Sequence, residues 1–179
     1  MSQSTTTKTP FGEVLRFRAT VTSSASPQAL YDAIADVSSH LSWGGPGSAS
    51  KGNALISLDA PAGLATTGTT FTSTGKAGKD TFHDRSTVVT ATPGRRFTFT
   101  TEARLERQRK QAWLVTFTHD FQLSPAPGGS TLAYSCAVRP TNYLPYWLHP
   151  AMKPMTRLVM QRIIRRNIGT LARLAEAGR

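Results

Sequence analysis

A lone cysteine, Cys136, in 179 residues rules out an internal disulfide. It alternates with Leu132, Tyr134 and Val138, so it reads as a buried thiol, and the expected setting is a reducing one, the cytoplasm. Acidic residues are scarce too: 10 Asp and Glu stand against 21 Lys and Arg, a formal charge of +11. That balance raises the question of an anionic partner, which the placement of the charges has to answer. Long apolar runs are missing. The nearest approach, Tyr143 to Met160, is broken by Pro145, Pro150 and Pro154 and carries Lys153 and Arg157, far from the roughly 20 apolar residues a spanning helix needs. Met1 to Pro10 is polar and Thr-rich with one Lys. Residues 1–10 are therefore expected to be a flexible tail rather than a signal peptide or anchor, with a single domain over 11–179.

Several chemical signatures are also missing. His40, His83, His119 and His149 are scattered, with no paired His or Cys at zinc-ligand spacing, so no metal is expected. No Gly-x-Ser-x-Gly elbow occurs, and Cys136 has no basic neighbour in sequence to lower its pKa. Gly44-Gly45-Pro46-Gly47 lacks the Lys and following helix of a phosphate loop and reads as a mobile lid or a plain turn. No cofactor is expected.

What is present is ordinary globular composition, 39% hydrophobic with 14 Gly and 11 Pro, arranged in clear periods. Val14 to Val21 alternates and predicts a half-buried strand. Ser26-Pro27 supplies an N-cap and a first-turn proline for a short helix carrying Leu30, Ala33, Ile34 and Val37 and ending near Ser38. Trp43 to Gly47 reads as a loop. From Ser48 to Arg139, Thr, Val and Phe are punctuated by turn residues at Asp59 to Pro61, Gly75 to Asp80, Pro93-Gly94, Glu106 to Lys110 and Pro125 to Gly129, which predicts a meander of five or six strands. The clearest is Trp113 to Leu123, where Trp113, Val115, Phe117, His119, Phe121 and Leu123 share one face. The last thirty residues form an amphipathic helix. Val159, Met160, Ile163, Ile164, Ile168, Leu171, Leu174 and Ala175 make its apolar stripe, opposite Arg162, Arg165, Arg166, Arg173 and Glu176. The class is α+β, with an antiparallel sheet covered by a long C-terminal helix.

The order strand, short helix, meander and long helix, together with particular residues, resembles the START-like superfamily called SRPBCC, which has polyketide cyclase/dehydratase and lipid-transport members. The residues that carry the likeness are Ser26-Pro27 opening a helix with Tyr31 and Ile34-Ala35-Asp36, then Trp43, then Arg85-Ser86-Thr87-Val88-Val89 leading to Pro93-Gly94-Arg95-Arg96-Phe97, and Leu171-Ala172-Arg173-Leu174. The likeness spans roughly Val14 to Gly178. It implies a helix-grip fold, a curved sheet of about six or seven strands around the last helix, with an internal cavity for a lipid, polyketide or other apolar compound. It implies no single activity, since binders, carriers and cyclases share the fold.

Polar side chains on inward, apolar faces are the informative ones, because burying them unpaired costs free energy. His119 lies between Phe117 and Phe121. It either orients a ligand oxygen or acts as acid/base, or it is a core histidine satisfied by a neighbour. Asp84 shares a face with Phe82, Ser86 and Val88 if its strand is regular and could then pair with His119; a one-residue bulge would present His83 instead. Asn167 sits in the helical stripe, where its amide either touches a ligand or bonds a strand. Tyr134 offers a ring and a hydroxyl. Phe82, Trp113, Phe117 and Ile164 are the expected apolar wall. The segment Tyr143 to Pro150 is a pocket gate, a membrane-dipping element or a packed linker.

Binding or carriage of a small hydrophobic molecule is the leading expectation, and a cyclase/dehydratase with His119 and Asp84 as acid/base candidates is second. The Arg-rich helix face leaves an anionic membrane surface open as a partner. Nucleic acid rests on net charge alone, without an aromatic platform or recognition motif, so no specific nucleic acid is expected. Oligomeric state is not legible.

Overall fold

The computed structural model describes residues 12–44, 53–77, 79–107, 111–145 and 148–178; the expected tail 1–10, the glycine-rich stretch 45–47, and Tyr146 and Trp147 lie outside these. The alternating segments form seven strands: β1 (Leu15–Ser23), β2 (Asn53–Asp59), β3 (Thr70–Ala77), β4 (Asp80–Thr92), β5 (Arg96–Glu106), β6 (Trp113–Ala126) and β7 (Gly129–Pro140). They make one antiparallel sheet in the order β1-β7-β6-β5-β4-β3-β2, a meander with its first strand returned to the far edge. The hairpin between β6 and β7 pairs Ala126 with Gly129. Pro127 and Gly128, the latter at φ 77°, fill the central positions as a type II turn requires.

Helix α1 (Pro27–Ala35) starts where its cap predicts: Ser26 Oγ accepts the Ala29 N–H at 3.1 Å, and Pro27 takes the first turn. It stops earlier than expected. Asp36 leaves helical geometry at ψ 86°, a single 3-10 turn covers Val37–Ser39, and a second helix, α2 (His40–Gly44), takes up Trp43, which the sequence reading placed in a loop. The break is stabilised by side chains. Ser39 Oγ donates to the Ala33 and Asp36 carbonyls at 2.9 and 2.8 Å, and His40 Nε2 meets the Ile34 carbonyl at 2.8 Å. The α1 carbonyls therefore find partners other than the next helical turn.

Helix α3 (Lys153–Ala177) has 25 residues and packs on β1, α1 and α2. Its C-terminal half is the buried one, through Ile168, Leu171, Ala172 and Ala175. The predicted stripe is too wide at two places, Val159 being 50% and Leu174 41% exposed. At 100° per residue they lie about 120° and 60° from Leu171 around the helix, toward its arginine side. Arg162, Arg165, Arg166 and Arg173 face outward.

β1 is an edge strand, and α3 closes that edge. The Gln161 side-chain amide bonds both the N–H and the C=O of Arg18, and Glu176 accepts from Ser23 Oγ at 2.7 Å and the Ser24 N–H at 2.9 Å. Phe97, Phe121, Leu30, Ile34, Leu132 and Leu171 are the large side chains almost wholly removed from solvent, and they mark the solid core, where α1 and the second half of α3 meet the sheet.

The β6–β7 hairpin docks on the chain leaving β1. Ser130 Oγ donates to the Ala25 carbonyl at 2.6 Å, and a Cβ on Gly129 would sit 2.0 Å from the Ser23 carbonyl oxygen and 2.7 Å from Ser24 Cα. Both obstacles are backbone, so neither can rotate away. Gly129→Ala is expected to lose about 2 kcal/mol or more of folding free energy, the range in which overpacking falls. Urea unfolding measures it, and an unchanged midpoint would show that the hairpin is not seated this way.

Candidate functional site

Strand register decides which side chains meet on the concave face. Phe99 on β5, His119 on β6, Cys136 on β7 and Phe17 on β1 form one row. The neighbouring row runs Phe71, Ser86, Thr101, Phe117, Val138 and Leu15. A further row holds Ser73, Asp84, Ala103 and Val115, and the last holds Phe82, Leu105 and Trp113. Period-two alternation puts all of these inward. The bulge in β4 falls between Val88 and Thr90, past Asp84. Asp84 therefore keeps the face of Phe82, Ser86 and Val88, while His83 stays exposed.

These rows, His40 and Trp43 of α2, Leu148, and the first half of α3 border a pocket of about 840 Å³. Its walls are mostly apolar. Phe82, Asp84, Trp113, Phe117, His119, Tyr134, Ile164 and Asn167, the residues singled out in the sequence, all stand on it. Toward the mouth, Met155 and Val159 of α3 line the pocket and are 63% and 50% exposed. Trp113 Nε1 donates to the Tyr143 carbonyl at 3.1 Å, tying the segment before α3 to the pocket's end wall.

His119 stacks on Phe99, with ring centroids 4.5 Å apart and planes 18° apart, and its Nδ1 shares a 2.8 Å hydrogen bond with the Tyr134 hydroxyl. Burial holds it neutral, with its pKa lowered to about 3. With the phenol donating, Nδ1 accepts and Nε2 carries the proton. Burial also raises Tyr134 well above the ordinary phenol value and pushes the Cys136 thiol up to about 12. This trio is uncharged at neutral pH.

The expected Asp84–His119 pair does not form. The row through Asp84 crosses β6 at Val115, four residues from His119, which is about 13 Å along the strand. Asp84 instead accepts from Ser73 Oγ across a long 3.4 Å, and its Oδ1 has no partner. Burial raises this carboxyl to about 7, against the small opposing effect of Ser73. Trp43 Nε1 and Asn167 Oδ1 are likewise buried without partners. All three line the pocket.

Several lining groups went unselected in the sequence. His40 and Trp43 are one turn apart on α2 with centroids at 4.6 Å, and His40 is held neutral by burial with its pKa lowered to about 4. The spacing His-x-x-Trp was visible, but only as part of an apparent loop. Ser86 and Thr101 satisfy each other at 2.8 Å, a cross-strand pairing that needs the register to be seen. Among the described residues no three His, Cys, Asp or Glu side chains gather as metal ligands do.

These shifts set opposing pH dependences. Unfolded His40 and His119 take up protons below about pH 6.5 that the folded groups refuse until about 4 and 3, so both make stability rise with pH across that window. Asp84 acts the other way. The folded carboxyl keeps its proton up to about 7 and the unfolded one loses it near 3.8, so stability falls as pH rises between them, and the full cost stands above 7. Asp84→Asn is expected to stabilise by on the order of 2–4 kcal/mol at pH 8 and to change little at pH 4. Thermal melts at the two pH values measure this; equal shifts at both would rule out a raised Asp84 pKa.

Solved structures share the architecture. A protein from Chromobacterium violaceum superposes with a TM-score of 0.60 at 18% identity, covering 90% of this chain and 97% of its own. A conserved protein from Geobacillus kaustophilus gives 0.68 at 10% identity, with 91% and 96% covered. Ara h 8.0201 gives 0.55 at 17% identity, with 88% and 97% covered. At these identities the likeness is one of fold. No curated protein matches the sequence. The sequence model of the family described as polyketide cyclase / dehydrase and lipid transport matches residues 14–176, and the chain belongs to that family, within the SRPBCC superfamily.

Proposed function

We propose that this protein binds a small hydrophobic molecule in the pocket between the sheet and α3, as a binder or carrier. The observation that supports this most is the pocket itself: about 840 Å³, walled by Phe, Leu, Val, Ile and Met, with Trp43, Asp84 and Asn167, each carrying a buried unpartnered polar atom, among its lining residues. That volume falls in the range of small-molecule sites. Apolar walls supply affinity by the area they remove from water, and a few placed polar atoms supply orientation. The family's association with hydrophobic ligands points the same way. His119 held neutral against Tyr134 suits a hydrogen-bonding role better than proton transfer.

Asp84 favours a second reading, a cyclase/dehydratase-type enzyme. A carboxyl raised to about 7 is matched to general acid/base work near neutral pH, and an enclosing pocket would hold a reactive chain in a near-attack shape.

The test of binding is to fill the space. Ile164→Trp adds volume on the pocket face of α3 and is expected to weaken a neutral apolar dye, N-phenyl-1-naphthylamine, about tenfold, or about 1.4 kcal/mol. The melting temperature should stay close to the parent's. Dye bound equally by parent and variant would place it elsewhere and sink the reading. Native mass spectrometry of freshly purified protein should find an apolar compound carried along. To separate the two readings, Asp84→Asn and His119→Ala are assayed with candidate polyketides. Dye affinity kept while turnover disappears establishes the enzyme, and absence of turnover in the parent with intact binding favours the carrier.

A further inference from the structure

The outside of this molecule is strongly basic and the pocket is not. Against a formal charge of +11, no Lys or Arg among the described residues borders the pocket; its two carboxyl groups are Asp80 and Asp84. Asp80 is paired with Arg107 at 3.6 Å. Asp84 has no cation: its one hydrogen bond comes from the Ser73 hydroxyl, and its Oδ1 is orphaned. Across the pocket, Asn167 Oδ1 is a second buried acceptor without a donor.

Resting on the proposed binding role, we infer that the pocket selects apolar molecules bearing a hydrogen-bond-donor head group, an amine or a hydroxyl, and rejects apolar carboxylates. Two orphaned acceptors need donors, and a donor is what a carboxylate lacks. A protonated amine also brings Asp84 the positive charge that none of the described residues provides, in a medium where such a pairing is poorly screened. A carboxylate meets the reverse. It enters a space where, among the described residues, the one charged group without an ion-pair partner is the Asp84 carboxylate. That Asp84 sits near pKa 7 agrees, since a carboxyl with a cation beside it would be lowered.

The experiment compares three probes sharing one apolar body, decylamine, decan-1-ol and decanoate, as displacers of N-phenyl-1-naphthylamine at pH 8 and 0.15 M salt. The positive surface biases any non-specific association toward decanoate, so a preference for the amine has to arise inside the pocket. Decylamine is expected to displace the dye at about tenfold lower concentration than decanoate, with decan-1-ol between them. In Asp84→Asn the amine's advantage over the alcohol is expected to vanish. Decanoate displacing at concentrations equal to or below the amine's overturns the inference and leaves the binding role standing. An amine advantage that persists in Asp84→Asn overturns its assignment to Asp84. Failure of all three probes to displace dye that Ile164→Trp weakens overturns the inference and leaves the binding role standing.

Discussion

The clasp between α3 and the free edge of β1 is the constraint on which the interior depends. A seven-stranded sheet in the order found here ends on β1 and β2, and an open edge leaves backbone groups unpaired. The Gln161 amide covers one such pair at Arg18, and Glu176 covers the chain as it leaves β1 at Ser23 and Ser24. The partners are separated by 143 to 153 residues, so these bonds join the two ends of the fold. They also set where the helix crosses the concave face, and hence how much space remains beneath it.

The two halves of α3 divide the interior. Ala172 and Ala175 are small enough to let the second half lie close to β1 and α1, with Ile168 and Leu171 filling what remains. Met155, Val159 and Met160 in the first half border open space instead. Met is unbranched and adapts its shape to what it touches. A rigid anchor therefore continues into an adjustable wall along one helix, and the pocket's shape follows from the position of the anchor.

The succession of elements along the chain, the inward face of β6 and the amphipathic last helix were legible because each rests on local periodicity. The strand reading left Asp84 and His83 as alternatives for the inward position; the bulge lies past both, between Val88 and Thr90, so Asp84 is the inward one. What was not legible depended on register and side-chain caps. Pairing Asp84 with His119 looked reasonable from face alone, but faces do not say which rows align, and the offset puts Val115 opposite instead. Trp43 read as part of a loop because glycines and a proline follow it; the hydrogen bonds from Ser39 and His40 that start a second helix there reach back to residues already folded. Whether the space under α3 is filled or open was beyond the sequence altogether, since it depends on the volumes of side chains from eight or more segments.

The unpartnered atoms connect stability to binding. Trp43 Nε1, Asp84 Oδ1 and Asn167 Oδ1 each forgo a hydrogen bond that an unfolded chain would make with water, a cost of about 1–3 kcal/mol apiece. Leu, Met or Phe at these positions would remove that cost, so the empty protein is less stable than its scaffold allows. A molecule that gives Asp84 a donor and Trp43 an acceptor recovers part of the loss on binding, and the recovered free energy appears as affinity and as raised stability together. The same groups discriminate. A ligand with the right apolar volume but no polar match leaves those atoms unpartnered. On the proposed binding role, the polar content of this pocket would act mainly against wrong ligands, with the apolar walls supplying most of the affinity.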